Sequence, residues 1–95
     1  MPTYDLSDEF RRNLGDLSPQ QRDRFKRAVE RFVEDLKGGR GFRRGLRVKR
    51  VRGMDGCLEM TWAPDGRAIF MYGDEIKPGE THVIWVAVGD HNILP

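Results

Sequence analysis

Apolar residues recur along this chain with two periods, about 3.6 and 2, and the change falls at a pair of glycines, Gly38-Gly39. Upstream, Phe25, Ala28, Val29, Phe32, Val33 and Leu36 lie three and four apart. That spacing places them on one stripe of a helix of roughly five turns. Its start is Leu17-Ser18-Pro19-Gln20-Gln21. Ser18 can cap, Pro19 fits the first helical position, and Gln21 stands where a capping box has Glu or Gln. Gly38-Gly39 stops the helix. A shorter helix precedes it: Ser7 caps, Asp8 and Glu9 occupy the turn that favours negative charge, Phe10 and Leu14 share a face, and Gly15 ends it. Residues 3–6 (Thr-Tyr-Asp-Leu) read as a short first strand.

Beyond the glycines the period becomes two. Leu46 to Val51 alternates apolar with basic residues, which predicts a strand with Arg47 and Lys49 about 7 Å apart on one face and Arg50 on the other. Gly53-Met54-Asp55-Gly56 is a turn. Cys57 to Trp62 is the next strand, with Leu58, Met60 and Trp62 facing the core and Glu59 and Thr61 facing away. Ala63-Pro64-Asp65-Gly66 has Pro and Gly where a type I turn wants them, and Arg67 to Tyr72 returns as the next strand. After a polar loop, His82 to Val88 is nearly all apolar, as expected of a central strand buried on both faces. Gly89-Asp90 turns into a short tail. One strand, two helices, then a run of strands predicts an α+β fold: two helices packed on one face of a mainly antiparallel sheet of four to five strands. Residues 1–95 are expected to form a single domain.

Charge sharpens this picture. The formal net charge is only +2, yet seven cations and no acid fall between Arg40 and Arg52. Residues 1–39 are balanced, and residues 53–95 carry two bases against seven acids. A concentrated cationic element attracts polyanions, most often nucleic acid. The alternative is a solvated, charged edge strand that resists aggregation. No apolar run approaches the ~20 residues of a membrane span, and the N-terminus lacks the pattern of a signal peptide. Cys57 is the only cysteine, which fits a reducing cytoplasm. Metal-ligand spacing is absent, as are nucleotide-loop and nucleophile-elbow motifs, so neither metal nor cofactor is expected.

The chain resembles the RelE/ParE superfamily of small bacterial toxins over nearly its whole length. The resemblance rests on Phe32-Val33-Glu34-Asp35-Leu36 closing the long helix, the basic strand Gly45 to Val51, the hairpin Met60-Thr61-Trp62-Ala63-Pro64-Asp65-Gly66-Arg67, and the ending Val83-Ile84-Trp85 to Gly89-Asp90-His91. The Pro-Asp hairpin with the terminal Gly-x-His points to the mRNA-interferase branch. That resemblance implies a RelE-like fold, an endoribonuclease that cleaves mRNA on the ribosome, and silencing by an antitoxin. Operator DNA would be bound only by the toxin–antitoxin complex. A gyrase-inhibiting toxin of the ParE branch, without nuclease chemistry, is the alternative, as is an inactive nucleic-acid-binding domain of the same fold.

RNA cleavage by the 2′-oxygen needs a base, an acid and cations on the phosphate, and no metal. His91 is a candidate acid or base, because imidazole is the side chain suited to proton transfer at physiological pH, with a plain tail histidine as the competing reading. Asp65 matches the aspartate of the interferase hairpin, although turn chemistry alone also explains it. Glu59 is a candidate base or the partner of a cross-strand salt bridge to Arg47 or Lys49. Arg67 could reach the scissile phosphate. Arg43, Arg44, Arg47, Lys49 and Arg50 are expected to bind RNA, and an acidic antitoxin segment is expected over Arg47 and Lys49. Trp62 and Trp85 are assigned to the core and Cys57 to no chemistry. Two positions depart from the family: Ala87 stands where an arginine is usual, and Thr61 where some members have a histidine. The alanine leaves open a weak enzyme, a substitute cation in Arg67, or an engineered inactivation.

Overall fold

The two periods become two layers. The structure, a computed structural model, describes residues 2–95. In chain order its main elements are β1 (Thr3–Leu6), α1 (Asp8–Asp16), α2 (Pro19–Gly38), β2 (Lys49–Arg50), β3 (Cys57–Thr61), β4 (Gly66–Gly73) and β5 (His82–Asp90). The strands form one mixed sheet in the order β1-β5-β4-β3-β2, with β1 parallel to β5 and the other pairs antiparallel. The nearly all-apolar β5 therefore has a neighbour on each side. The helices begin as their sequences require. Ser7 Oγ accepts from Phe10 N at 3.0 Å, and Ser18 and Gln21 complete a capping box. Gly39, with φ 68°, ends α2 in the left-handed conformation that glycine tolerates.

The helical stripe packs on the sheet through aromatic rings. Phe32 is 4.9 Å from Phe70 and 5.1 Å from Trp85 between centroids, and Phe25 stands edge-on to both Trp62 and Trp85. Both tryptophans lie in the core, as alternation predicted. Strand β5 carries one extra residue: Ile69 pairs with Ala87 but Phe70 pairs with Trp85, which leaves Val86 as a bulge. Helix α1 satisfies this irregular stretch. The Ser7 hydroxyl donates to Val86 O at 2.7 Å, and Asn13 Oδ1 accepts from Val88 N at 3.2 Å. Strand β1 is fastened by the buried His82, whose ring nitrogens meet Thr3 Oγ1 at 2.8 Å and Asp5 Oδ2 at 3.0 Å.

Three expectations are corrected. Gly15 does not end α1; the helix runs to Asp16, and the cap N–H of Leu17 bonds to Leu14 O. Gly89 and Asp90 extend β5 rather than turning the chain. The largest correction concerns the basic segment, which is not a strand from Leu46 to Val51. Arg44–Leu46 is a 3-10 turn, Arg47 is left-handed with φ 49°, and only Lys49 and Arg50 pair with β3. Leu46 is 1% exposed and belongs to the core under the helices, so the chain coils to bury it. Arg47 and Lys49 are therefore not successive residues on one strand face. The sheet face away from the helices is also less open than a solvated face. Val51, Cys57, Ile69 and Ala87 form a small apolar cluster there, packed by Met54, Ile93 and Leu94.

Candidate active site

Two chain turns meet at one end of the sheet. The β3–β4 hairpin closes through Gly66 N to Ala63 O at 3.0 Å and Trp62 N to Gly66 O at 3.1 Å, the turn that Ala63-Pro64-Asp65-Gly66 encodes. A Cβ on Gly66 would lie 2.6 Å from two Trp62 ring carbons, so only glycine lets the turn close on the indole. Opposite it, β5 runs into a 3-10 turn, His91–Ile93. Asp90 caps that turn, its Oδ1 accepting from Asn92 N at 2.8 Å. The register sets Gly66 against Asp90. The next residues on each side, Asp65 and His91, consequently meet, with His91 Nδ1 2.5 Å from Asp65 Oδ1.

That bond defines what the pair can do. A carboxylate on Nδ1 holds the tautomer with its proton there and turns Nε2 outward as an acceptor. Both side chains are exposed, at 62% for His91 and 67% for Asp65, so a substrate can reach them. Arg67 starts β4 directly behind the turn. Its Nη1 donates to the carbonyls of Gly66 (2.9 Å), Pro64 (3.3 Å) and Ala63 (3.4 Å), which braces the hairpin that carries Asp65. Its Nε and Nη2 have no hydrogen-bond partner among the described residues. In register with Arg67 are Thr61 on β3 and Gly89 on β5.

One step along the same face lies the row Glu59–Ile69–Ala87. Glu59 is buried, and its carboxylate is 3.9 Å from Lys49 Nζ across the β2–β3 pair, the salt-bridge alternative foreseen for it. Ala87 is 5% exposed, inside the small apolar cluster. Cys57 is buried in the same cluster. The remaining cations separate into two groups. Arg43 is held by Asp35: Nε to Oδ2 at 3.0 Å, Nη2 to Oδ1 at 2.9 Å, and its backbone N–H to Oδ2 at 2.8 Å. These bonds, led by the guanidinium's, keep the Asp35 carboxyl below the usual carboxylate range. Arg43 thus ties the basic segment to the end of α2. Arg44, Arg47 and Arg50 are exposed, and Arg50 pairs with Leu58, whose side chain packs on the helix-side core. Tyr72 lies on that helix side too, edge-on to Phe70 and distant in register from the pair. Asp90, which orders the His91 turn, was legible only as a turn residue. Among the described residues no group of three His, Cys, Asp or Glu is arranged to hold a metal ion, and no helix is long and apolar enough to cross a membrane.

Two helices packed on a five-stranded mixed sheet, with a short β1 parallel to β5, match the fold of the RelE-like toxins of toxin–antitoxin systems. The chain superposes on the toxin of the E. coli DinJ–YafQ toxin–antitoxin complex with a TM-score of 0.69 and 14% identity, covering 98% of this chain and 96% of that one. A copper-bound mutant toxin from Helicobacter pylori gives 0.68 and 14%, covering 100% of both chains. A chain of the intact E. coli RelBE toxin–antitoxin complex gives 0.61 and 18%, covering 95% and 96%. No family model and no curated protein matches the sequence. At such identities the likeness is one of fold.

Proposed function

We propose that the chain is the toxin of a type II toxin–antitoxin system and acts as an endoribonuclease on mRNA at the ribosome, in the cytoplasm. The single observation that carries the chemistry is the exposed pair of His91 and Asp65, 2.5 Å apart, at the junction of two turns. In this reading, neutral His91, its proton held on Nδ1 by Asp65, receives the 2′-hydroxyl proton at Nε2. The 2′-oxygen attacks phosphorus, a 2′,3′-cyclic phosphate forms, and the P–O5′ bond breaks. Water on the opposite side of the phosphorus protonates the departing 5′-oxygen, and the imidazolium gives its proton back to the hydroxide so formed through solvent. Arg67 offers its free nitrogens to the phosphate charge. Lys49, positioned by Glu59, and the exposed Arg44 and Arg47 hold the flanking backbone; Arg50, on the opposite face of β2, is a weaker candidate. Arg43 is a weaker member of that set, because Asp35 already occupies its fork.

Fold alone does not choose a function, and one observation favours a second reading. Ala87 leaves the sheet face apolar where an arginine is usual, as befits a toxin that binds a protein such as gyrase instead of cutting RNA. The partner in either case is an antitoxin, as in the complexes of the structural neighbours. Mapping of new RNA 5′ ends in bacteria expressing the chain, its His91→Ala variant and its Ala87→Arg variant separates the readings. New ends within coding frames that vanish without His91 support the nuclease. Growth arrest with intact mRNA supports the binding toxin.

A further inference from the structure

Beside the His91–Asp65 pair, between the helix ends and the β3–β4 hairpin, opens a cavity of about 510 Å³. It falls within the roughly 300–1,000 Å³ of small-molecule sites. Its floor is apolar: Leu17, Trp62 and Val88 line it and are each buried. Asp65 forms part of its wall, so whatever occupies it adjoins the candidate catalytic pair. Asp16, Gln20 and Arg24 stand on its rim, exposed, and their side chains make no hydrogen bond or ion pair among the described residues. The other polar groups around the cavity are engaged. Asn13 accepts from β5, Gln21 is in the capping box, and Asp90 caps the His91 turn.

Asp16 is unexpected where it stands. It closes α1, and the last turn of that helix carries no cation. Negative charge at a helix C-terminus opposes the dipole. Residues that break a local rule are where function is to be sought.

We propose that this cavity is a nucleobase subsite, selective for guanine, next to the scissile phosphate; the proposal rests on the nuclease reading. The apolar floor suits the face of a base. Guanine presents two adjacent donors, N1–H and N2–H₂, on its Watson–Crick edge, and a carboxylate such as Asp16 receives them as a pair. Arg24 is the only cation among the lining residues, against Asp16, Asp65 and Asp90. That balance disfavours a phosphate in the cavity and favours a neutral, donor-rich ring. Specificity would then reside at the helix ends, apart from the phosphate-binding cations of β2.

The test is an NMR titration of the whole chain with 2′-deoxy dinucleotides carrying guanine or adenine, which lack the attacking oxygen and cannot be cut. The guanine dinucleotide should shift the amides of Asp16, Gly66 and Gly89 and bind at least roughly fivefold tighter than its adenine counterpart. Asp16→Asn should erase that difference while leaving the spectrum otherwise folded. Equal affinity for both bases, shifts confined to Lys49–Arg52, a preference that survives Asp16→Asn, or no shift at millimolar ligand overturns the proposal. Cleavage of an RNA oligonucleotide by the same protein is read separately. Selective binding without cleavage keeps the subsite and removes the nuclease, and cleavage without base preference beside the cut does the reverse.

Discussion

The coupling of His91 to Asp65 is the most exposed part of the mechanism. Removing a general acid–base group costs roughly 10²–10⁴-fold in rate, so His91→Ala should lose that much. In the proposed mechanism Asp65 acts through His91, and replacing a histidine's orienting partner costs from roughly 10–100-fold at metal-bound histidines to roughly 10⁴-fold at a buried catalytic one. The structure selects the low end of that range. The two side chains are 62% and 67% exposed, so solvent screens the carboxylate and the imidazole retains access to its acceptor position. Asp65→Asn should therefore slow cleavage about tenfold, about 1.4 kcal/mol at the transition state. Asparagine serves the turn as well as aspartate, so the hairpin stays closed. Because Asp65 matters only through His91, the double variant should be no slower than His91→Ala alone.

The assay is multiple-turnover cleavage of an end-labelled RNA oligonucleotide by the four proteins. If, as proposed, the pair acts on the reacting atoms and the cations hold the rest of the strand, the loss should appear in kcat with KM little changed. Losses that multiply in the double variant would show two independent roles and refute the coupling. So would an Asp65→Asn protein with the full rate.

Four further outcomes follow. Ala87→Arg should raise cleavage about a hundredfold if a cation is missing there, and should destabilise the fold by roughly 1–3 kcal/mol because the site is packed; an unchanged rate would leave Arg67 as the sufficient cation. Leu46→Ala should cost roughly 2–5 kcal/mol in urea unfolding, and a loss near zero would contradict the account of the coiled basic segment. Gly73→Ala puts a Cβ 2.8 Å from Ile84 Cδ1 and 2.9 Å from His82 Cδ2, so hydrogen exchange at the β1 amides should accelerate; protection as in the parent would mean the contact relaxes freely. Asp35, whose carboxyl the Arg43 bonds hold below its ordinary value, contributes stability above the unfolded pKa of about 3.9 and loses it as pH falls through the lower folded value; the gap in urea midpoint between parent and Asp35→Asn should be full at pH 7 and shrink below pH 4, and a gap independent of pH would refute the assignment.

What the sequence made legible was local. Ser18-Pro19-Gln20-Gln21 and Gly39 set the ends of α2 because caps act within one turn, and Ser7 did the same for α1. The nearly all-apolar β5 announced its central place. The basic segment misled because Leu46-Arg47-Val48-Lys49 has the period of a strand, while the deciding force was remote: the aromatic core under the helices takes Leu46. The burial of His82 needed the parallel register with β1, which no short window contains. At the site, Asp65 and His91 could each be named, but their bond spans 26 residues and depends on the β4–β5 register. The lock of Arg43 on Asp35 and the cavity at the helix ends are likewise products of packing.

Ala87 bears on whether the pair can form at all. It shares its cluster with Ile69 and with the tail residues Ile93 and Leu94. One residue further along β5 on the same face, Gly89 has no side chain, and a Cβ there would lie 2.9 Å from Ile93 Cγ2. Small residues at 87 and 89 are thus what allow the tail to lie on the sheet. An arginine at 87 would compete with Ile93 and Leu94 for that surface. Ile93 belongs to the same 3-10 turn as His91, so a displaced tail pulls on the histidine that Asp65 holds. Under the proposed mechanism Ala87→Arg would therefore have two opposed effects: it would supply a cation for the phosphate and strain the His91–Asp65 pair. Measuring the Asp65–His91 coupling again in the Ala87→Arg chain separates them. Coupling that persists means the tail yields without taking His91 with it, and the arginine's rate gain is the cation's own. Coupling that disappears means the alanine is the residue that lets the pair close, and this chain has traded a phosphate-binding cation for an ordered histidine.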